Sequence, residues 1–494
     1  MATVSTLRKV LDRKQWELCT PLPVTNAAGM IFAQTPPTWS TPMVFMSSAT
    51  NTHYIYMVNE DAWIELPGGT LGAHTGASTA VFHPYGPTGT ASAGSSTTLT
   101  TTLTIPNDLT GYVVRITGGT GAGQERVITS NTFGANSVLT TSAWGTNPDN
   151  TSTYIILSGR FWVLGATGAA VVWKYYDIAT SAWTSKSTTS GPGATWGTDG
   201  QSTCTSSVGW AGSFDTGTNK WNGAFDTGTA TAGAAATLTD GGKSWTTNQW
   251  ANYQVRILSG TGKGQIRTIN SNTGTVLTVS ANWGTNPDAT SVYVIEGNDD
   301  WIFVAGNNAV TLFRYAINGI AGLSANAQAT GDTWITVSPG AARAAAGAAG
   351  LSLEWIPHSE DARFTNASAI LNGRRIYSFR GGATSTLDYY DIPSNAWVSG
   401  VAYGNAAPTF TTNSSWTHWK GFLYGQKEST ARFFKFDCAG NTLYPLSTLV
   451  YGNGTGVLGQ SKVWIFSYTD GATELQFMYA VRHSGTELLR MLLI

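Results

Sequence analysis

One stretch of this chain is written twice. Tyr112 to Ile128 reads YVVRITGGTGAGQERVI, and Tyr253 to Ile269 reads YQVRILSGTGKGQIRTI, 141 residues later. Trp144-Gly-Thr-Asn-Pro-Asp149 then returns unchanged as Trp283-Gly-Thr-Asn-Pro-Asp288, at a frame of 139. The two lost residues are assigned to the loop after Asn131. Such likeness at a fixed frame means a duplicated folding unit, which constrains the fold more than any local propensity.

Each copy alternates apolar and polar residues in short runs. Tyr112, Val114 and Ile116 lie on one side and Val113, Arg115 and Thr117 on the other, the pattern of a half-buried strand. The glycine runs at 118–123 and 260–264 read as hairpin tips, where positive φ is free of steric cost. GTGAGQ is not a phosphate loop, since no Gly-Lys-Ser/Thr follows and no helical period begins after it. The residues singled out are Gly121, Gly123, Gln124 and Arg126, with Gly262, Gly264, Gln265 and Arg267 in the second copy. Gln and Arg share one strand face and are assigned to cross-strand hydrogen bonding inside a small barrel. The modules are placed at 88–157 and 228–296.

The remainder carries a second, weaker repeat. A strand leads into another that ends in an aromatic pair, then a turn, then Trp. Arg160-FWVLG leads to VVWKYYDIATSAW183, and Arg374-RIYSFRGG to LDYYDIPSNAW397. Looser versions begin at Pro42, Asp300, Lys420 and Lys462. A short strand precedes each unit, at about 28–34, 79–84, 206–212, 366–371, 413–417 and 453–459. Six units of four strands predict an all-β fold, a six-bladed β-propeller, or seven-bladed if 338–363 hides a unit. A β-sandwich array would explain the strands but not the recurrence of Tyr, turn and Trp. Propeller segments are then 1–87, 158–227 and 297–494, with an irregular excursion at 338–363. Both modules enter between the first and second strands of their units, which puts them on one face and on adjacent blades. Closure can come from Gln15-WELCTPLP23 or from Glu487-LLRMLLI494. The strand left over, carrying either Gln15 and Trp16 or Leu488, Leu489 and Leu492, is a candidate for pairing with a neighbouring subunit.

The unit at 364–400, with Gly-Gly, then Tyr-Asp, then Trp, resembles a kelch repeat. The G-x-G-x-G-Q-x-R-x-I hairpin with its later W-G-T-N-P-D resembles modules common in tailed-bacteriophage structural proteins. That second resemblance covers under a third of the chain. It implies a virion protein without saying which one. The missing chemistry makes a non-enzymatic component the expectation, and a propeller carrying barrels suits a ring or adaptor subunit of the tail or neck, with capsid decoration or a glycan-binding adhesin as the alternatives. Its partners would be copies of itself and other virion proteins, with a host surface glycan in the adhesin reading.

Composition narrows the classes. Charged residues make up 11% of the chain, against about 25% in ordinary soluble domains. The net charge is −1, so neither nucleic acid nor an anionic membrane has a basic face to meet. The N-terminus lacks an apolar run of signal-peptide length, which predicts synthesis in a host cytoplasm and residence in the particle. Cys19, Cys204 and Cys438 are too far apart for a CxxC site and read as buried hydrophobes.

No cofactor and no catalytic set is assigned. The six histidines, His53, His74, His83, His358, His418 and His483, have no HxH or HxxxH spacing, and a metal at His74 and His83 is the weaker reading beside a rim role. A kelch-type copper oxidase would need two histidines, two tyrosines and a cysteine on one face, a set these positions do not supply. Asp299-Asp300 reads as a turn before a strand, and adjacent carboxylates in a strand would point to opposite faces; Asp177 and Asp391 read as turn caps. Trp144, Trp283 and Trp250 could stack on sugar rings, with core packing the competing assignment.

Overall fold

A computed structural model describes the chain from Trp16 to Leu493 except residues 26–29, 38, 49, 69–70, 72–77, 167–170, 194–199, 207–213, 216–219, 222–225, 246, 249, 251–253, 297–299, 306–310, 318–331, 338, 340–342, 344–352, 357–374, 380–384, 393–395, 404–409, 411–414, 420, 428–431, 439, 447–462, 471–472 and 482–484. Every regular element among the described residues is a strand or bridge. Six four-stranded antiparallel sheets form the six blades of a β-propeller, and two seven-stranded sheets form the modules.

The inner strands are Ile31–Gln34, Thr79–His83, Gln201–Cys204, Glu354–Ile356, Ser415–Trp419 and Val463–Asp470, and successive ones are neighbours around the axis. The ring closes where the Ser467 N–H donates to the Pro37 carbonyl at 3.0 Å. Aromatic residues glue each blade to the next, as the Tyr-turn-Trp pattern requires of a wedge that cannot bury both faces alone. Going round, the ring pairs are Phe45–Phe161, Trp173–Tyr315, Phe303–Tyr390, Phe379–Trp416, Phe433–Trp16 and Trp464–Phe32. Phe379 and Trp416 lie face to face, with centroids 3.6 Å apart.

Three strand assignments made from sequence change. The inner strand of the third blade is Gln201–Cys204, just ahead of the apolar run at 206–212. Its alternation is polar because two of its hydroxyls bond to neighbouring blades: Ser202 Oγ donates to the Ala80 carbonyl and Thr203 Oγ1 accepts from the Trp355 N–H. The fourth blade takes its inner strand, Glu354–Ile356, from inside the stretch assigned to an irregular excursion. Three residues are too few to show a period, so the signal was lost among the flanking alanines and glycines. In that same stretch Arg343 Nε donates to Asp388 Oδ2 at 2.7 Å. Segment 366–371 and most of 206–212 lie outside the described residues.

The third change concerns closure. The last blade runs Val463–Asp470, Thr473–Val481, Leu488–Leu493, and then the N-terminal strand Glu17–Leu18. Both termini are used, and neither strand is spare. Leu488, Leu489 and Leu492 are buried, held between Thr473–Val481 and Glu17–Leu18. Trp16 packs on Phe433 of the fifth blade; Gln15 lies outside the described residues. Arg490 Nε donates to Glu17 Oε2 at 2.8 Å across the seam. The either-or reading arose from placing the inner strand at 453–459, one strand too early.

In module 1 the strand order is Thr88–Thr90, Thr153–Leu157, Val113–Gly118, Glu125–Asn131, Val138–Thr141, Thr98–Thr100 and Ala93–Gly94. Module 2 repeats it from Asp226–Thr229 to Ala232–Ala234. Each sheet bends where its central long strand changes partner, at a bulge between Ile128 and Ser130 or between Ile269 and Ser271. The deletion in the second copy is also sharper than read from the frame. Asn131 pairs with Leu139, and Asn272 with Leu277. That loop is therefore three residues shorter, and one residue returns before Trp283.

Both modules leave through the equivalent connection, between the first and second strands of the second and third blades. They stand side by side on one face of the propeller and touch.

Candidate interaction site at the paired modules

The motif residues converge on one loop cluster in each copy. Gly121 and Gly123 have φ of 80° and 84°, and Gly262 and Gly264 have 80° and 86°. At such angles a Cβ crowds its own backbone, so glycine takes them at least cost. The tip so formed aims Gln124 at the W-G-T-N-P-D turn. Its side-chain oxygen accepts from the Gly145 and Thr146 N–H groups at 2.7 and 3.1 Å. Its amide donates to the carbonyls of Gly121 and Thr146 at 3.0 and 2.8 Å. Gln265 makes the same four bonds to Gly284, Thr285 and Gly262. One side chain thus saturates two loops whose backbone groups have no strand partner there.

Arg126 and Arg267 complete the clamp. Each donates from Nε to the carbonyl of Ala143 or Asn282, at 2.9 Å in both copies. Each guanidinium also lies over Trp144 or Trp283, 5.5 Å from the ring centroid. These two tryptophans are only 5% exposed and Trp250 only 2%. Of the two assignments core packing holds: all three rings are core, and Trp144 and Trp283 are roofed by arginine. Asp149 and Asp288 finish the turns. Hydrogen bonds from the Thr151 and Thr290 hydroxyls, then from the same residues' N–H groups, hold both carboxyls below the usual carboxylate range.

Two residues that the alternation put on a solvent face are buried. Val113, Val114, Arg115 and Ile116 are all at 1% exposure or less, so this strand is covered on both sides. Its second side faces module 2. Arg115 Nε donates to Glu125 directly across the hairpin, and Arg256 Nη2 of module 2 reaches the other oxygen of Glu125 at 3.3 Å. Both guanidiniums and the carboxylate are buried. Glu125, Arg115 and Arg256 were not among the sequence candidates. The available signal was a charged residue kept at one place in both copies, inside the apolar strings VVRI and QVRI.

Below the modules, three side chains link their two attachment points. Tyr85, on the way into module 1, donates its hydroxyl to Asp300 Oδ2 at 2.6 Å, and Asp300 immediately precedes the strand Trp301–Ala305 that follows module 2. His83 Nδ1 accepts from the Tyr85 N–H at 3.2 Å, so the ring proton sits on Nε2, which faces Asp300 Oδ1 at 3.4 Å. His83 is fully buried and serves this neck; His74 lies outside the described residues. Cys204 donates to the Phe82 carbonyl nearby, and burial pushes its thiol and that of Cys438 well above the ordinary range. Asp177 caps a turn, accepting from the Ala179 and Thr180 N–H groups.

The axial channel is narrow and lined mainly by the inner strands, with Gln34, Glu354, Thr417 and His418 among its polar groups. His418 Nδ1 lies 3.4 Å from Glu354 Oε2. The cavity measures ≈ 100 Å³, room for a few waters, whereas organic ligands occupy pockets of roughly 300–1,000 Å³. Among the described residues, no three His, Cys, Asp or Glu side chains are grouped as a metal site would need.

No family model matches this chain, and no curated protein matches it. Among solved structures it is similar to the crystal structure of AofleA from Arthrobotrys oligospora, at 9% identity and a TM-score of 0.39, over 97% of this chain and 87% of that one. The six-bladed count rests on the sheet topology alone.

Proposed function

We propose that this chain is a non-enzymatic structural component of a tailed-bacteriophage particle, serving as a ring or adaptor subunit of the tail or neck. The observation that carries the reading is how the duplicated motif is used. In both copies Gly, Gln, Arg and the W-G-T-N-P-D turn are bonded to one another, as a scaffold uses a repeat, and the two modules pack together on one face of the propeller. That wording resembles modules of phage structural proteins, and the low charge suits a chain surrounded by other protein. A propeller carrying two modules on one face is an asymmetric subunit of the kind that repeats about an axis in a closed ring.

The test is mass spectrometry of purified particles from the source, with antibody labelling in the electron microscope. We expect the chain in the particle in several copies, with label at the tail or neck. Label over the capsid would favour the decoration reading instead. A chain absent from washed particles and present only in the soluble lysate overturns the proposal.

A further inference from the structure

The two modules meet through like surfaces. A Cβ built on Gly123 would lie 2.3 Å from Gly264 Cα, and one built on Gly264 would lie 2.3 Å from the Ala122 carbonyl oxygen. These glycines hold the same place in the two copies, 141 residues apart. Behind them, the homologous pair Arg115 and Arg256 converge on Glu125. Homologous residues meeting each other is the mark of an isologous contact about a local two-fold axis, the arrangement of a symmetric dimer. Two positions break the symmetry. Ala122, at the crossing, corresponds to Lys263, whose Nζ would lie 2.8 Å from a Cβ built on Gly145 of module 1. Glu125 stands opposite Arg115 in its hairpin, whereas the residue opposite Arg256 is Ile266.

We propose that this hairpin face is a self-association surface whose partner is another module of the same kind. Within the chain, module 1 occupies module 2. Between chains, module 1 is competent to pair with a second module 1, and module 2 pairs with its own copy much more weakly. The ranking follows from the charges that the contact buries. A module 1 pair brings two copies of Arg115 together with two of Glu125. A module 2 pair brings two copies of Arg256 with isoleucine at both equivalent places. Guanidiniums buried in a contact need carboxylates there, and a missing one is strongly unfavourable. The backbone crossing at the glycines is available to either pairing.

The inference concerns module contacts and does not depend on the virion reading, because it is tested on the purified chain. Gly264→Asn and Gly123→Asn each add a Cβ at the crossing, and asparagine tolerates the positive φ that the hairpin needs. The first leaves the module 1 face free, and the second leaves the module 2 face free. Sedimentation velocity across a concentration series should show Gly264→Asn dimerising at least about tenfold more tightly than Gly123→Asn, a difference of about 1.4 kcal/mol. Adding Glu125→Ile to Gly264→Asn should return it to the mass of the unaltered chain. Hydrogen exchange across 113–131 and 254–272 reports whether each module keeps its fold. Should Gly264→Asn unfold module 2, the module 1 face is still freed and the dimer is still expected. The proposal is overturned if both single variants keep the mass of the unaltered chain, if Gly123→Asn dimerises as tightly, or if the dimer survives Glu125→Ile.

Discussion

Module 1 and module 2 share a sheet, a motif and a set of loop bonds, yet they are held in the molecule differently. The core of module 1 is continuous with that of the first three blades. Trp39 supplies part of that continuity, edge-on to Phe82 at 5.1 Å and 6.5 Å from Tyr112 of the module. Asn107 adds a polar tie, donating at 2.7 Å to the Ile178 carbonyl and to the Ser181 hydroxyl. Module 2 has a core of its own, built round Trp245, Trp250 and Trp283. Its contact with module 1 runs through the buried arginines and Glu125. Two copies of one folding unit thus became a root and a passenger. The difference lies in what each copy was placed against.

The comparison can be broken at its root. Trp39→Ala should cost about 4 kcal/mol, the usual figure for truncating a large buried ring. Hydrogen exchange should rise in module 1 and in the second blade while the fifth blade is unchanged. Equal loss in all blades would mean that module 1 is no more tied to the propeller than module 2 is.

A narrower cut separates the passenger. Glu125→Ala leaves two buried guanidiniums facing each other without their shared carboxylate and should cost about 3 kcal/mol. Module 2 should become protease-sensitive at its neck while module 1 stays protected. Ile266→Glu placed in the Glu125→Ala background supplies a carboxylate from the other side, and should recover at least half of that loss in urea unfolding.

The likeness of the two copies is tested by the clamps. Gln124→Ala and Gln265→Ala each strip four hydrogen bonds from two loops and should each cost about 2 kcal/mol. If the modules are locally equivalent, the two values agree within about 0.5 kcal/mol. A larger gap would show that the neighbouring module helps to hold one of the loops.

The smallest effect is in pH. Asp149 and Asp288 are held below the usual carboxylate range by the threonine two residues on. A carboxyl lowered in the folded state adds stability above its unfolded pKa, and that stability is lost as pH falls through the folded value. Asp288 is exposed and Asp149 only half-buried, so the effect on global unfolding should be slight. NMR titration should find the two in step, and Thr151→Val or Thr290→Val should raise only its own aspartate, part of the way back to the ordinary range, because the N–H bond remains.

How legible was all this in the sequence? The modules were the clearest part, since a hydrogen-bonding clamp tolerates few substitutions and so leaves its letters in both copies. The blades were legible as rhythm. Tyr176 and Tyr390 recur before a turn and a Trp because every wedge must be filled. Inner strands were the weak point. Gln201–Cys204 and Glu354–Ile356 are short, line a polar axis, and carry no period long enough to count. The candidate site divided along the same line. Gln124, Arg126 and their copies came from the motif, while Glu125 came only from the fold. Its partner in module 2 is 131 residues away, and alternation marked its strand as half-exposed.

By itself, the sequence determined an all-β chain, a sixfold repeat, two inserted modules and the loops that the motif builds. These rest on short-range pattern, on residues within one hairpin or one blade, and local chemistry writes them directly. Tertiary structure decided the rest: that both termini share the last blade, that Arg115 is buried, and that one glutamate serves two modules. Those outcomes depend on which surfaces meet after each unit has formed. Burial and charge pairing across such a contact are properties of two surfaces together, and neither copy carries them alone.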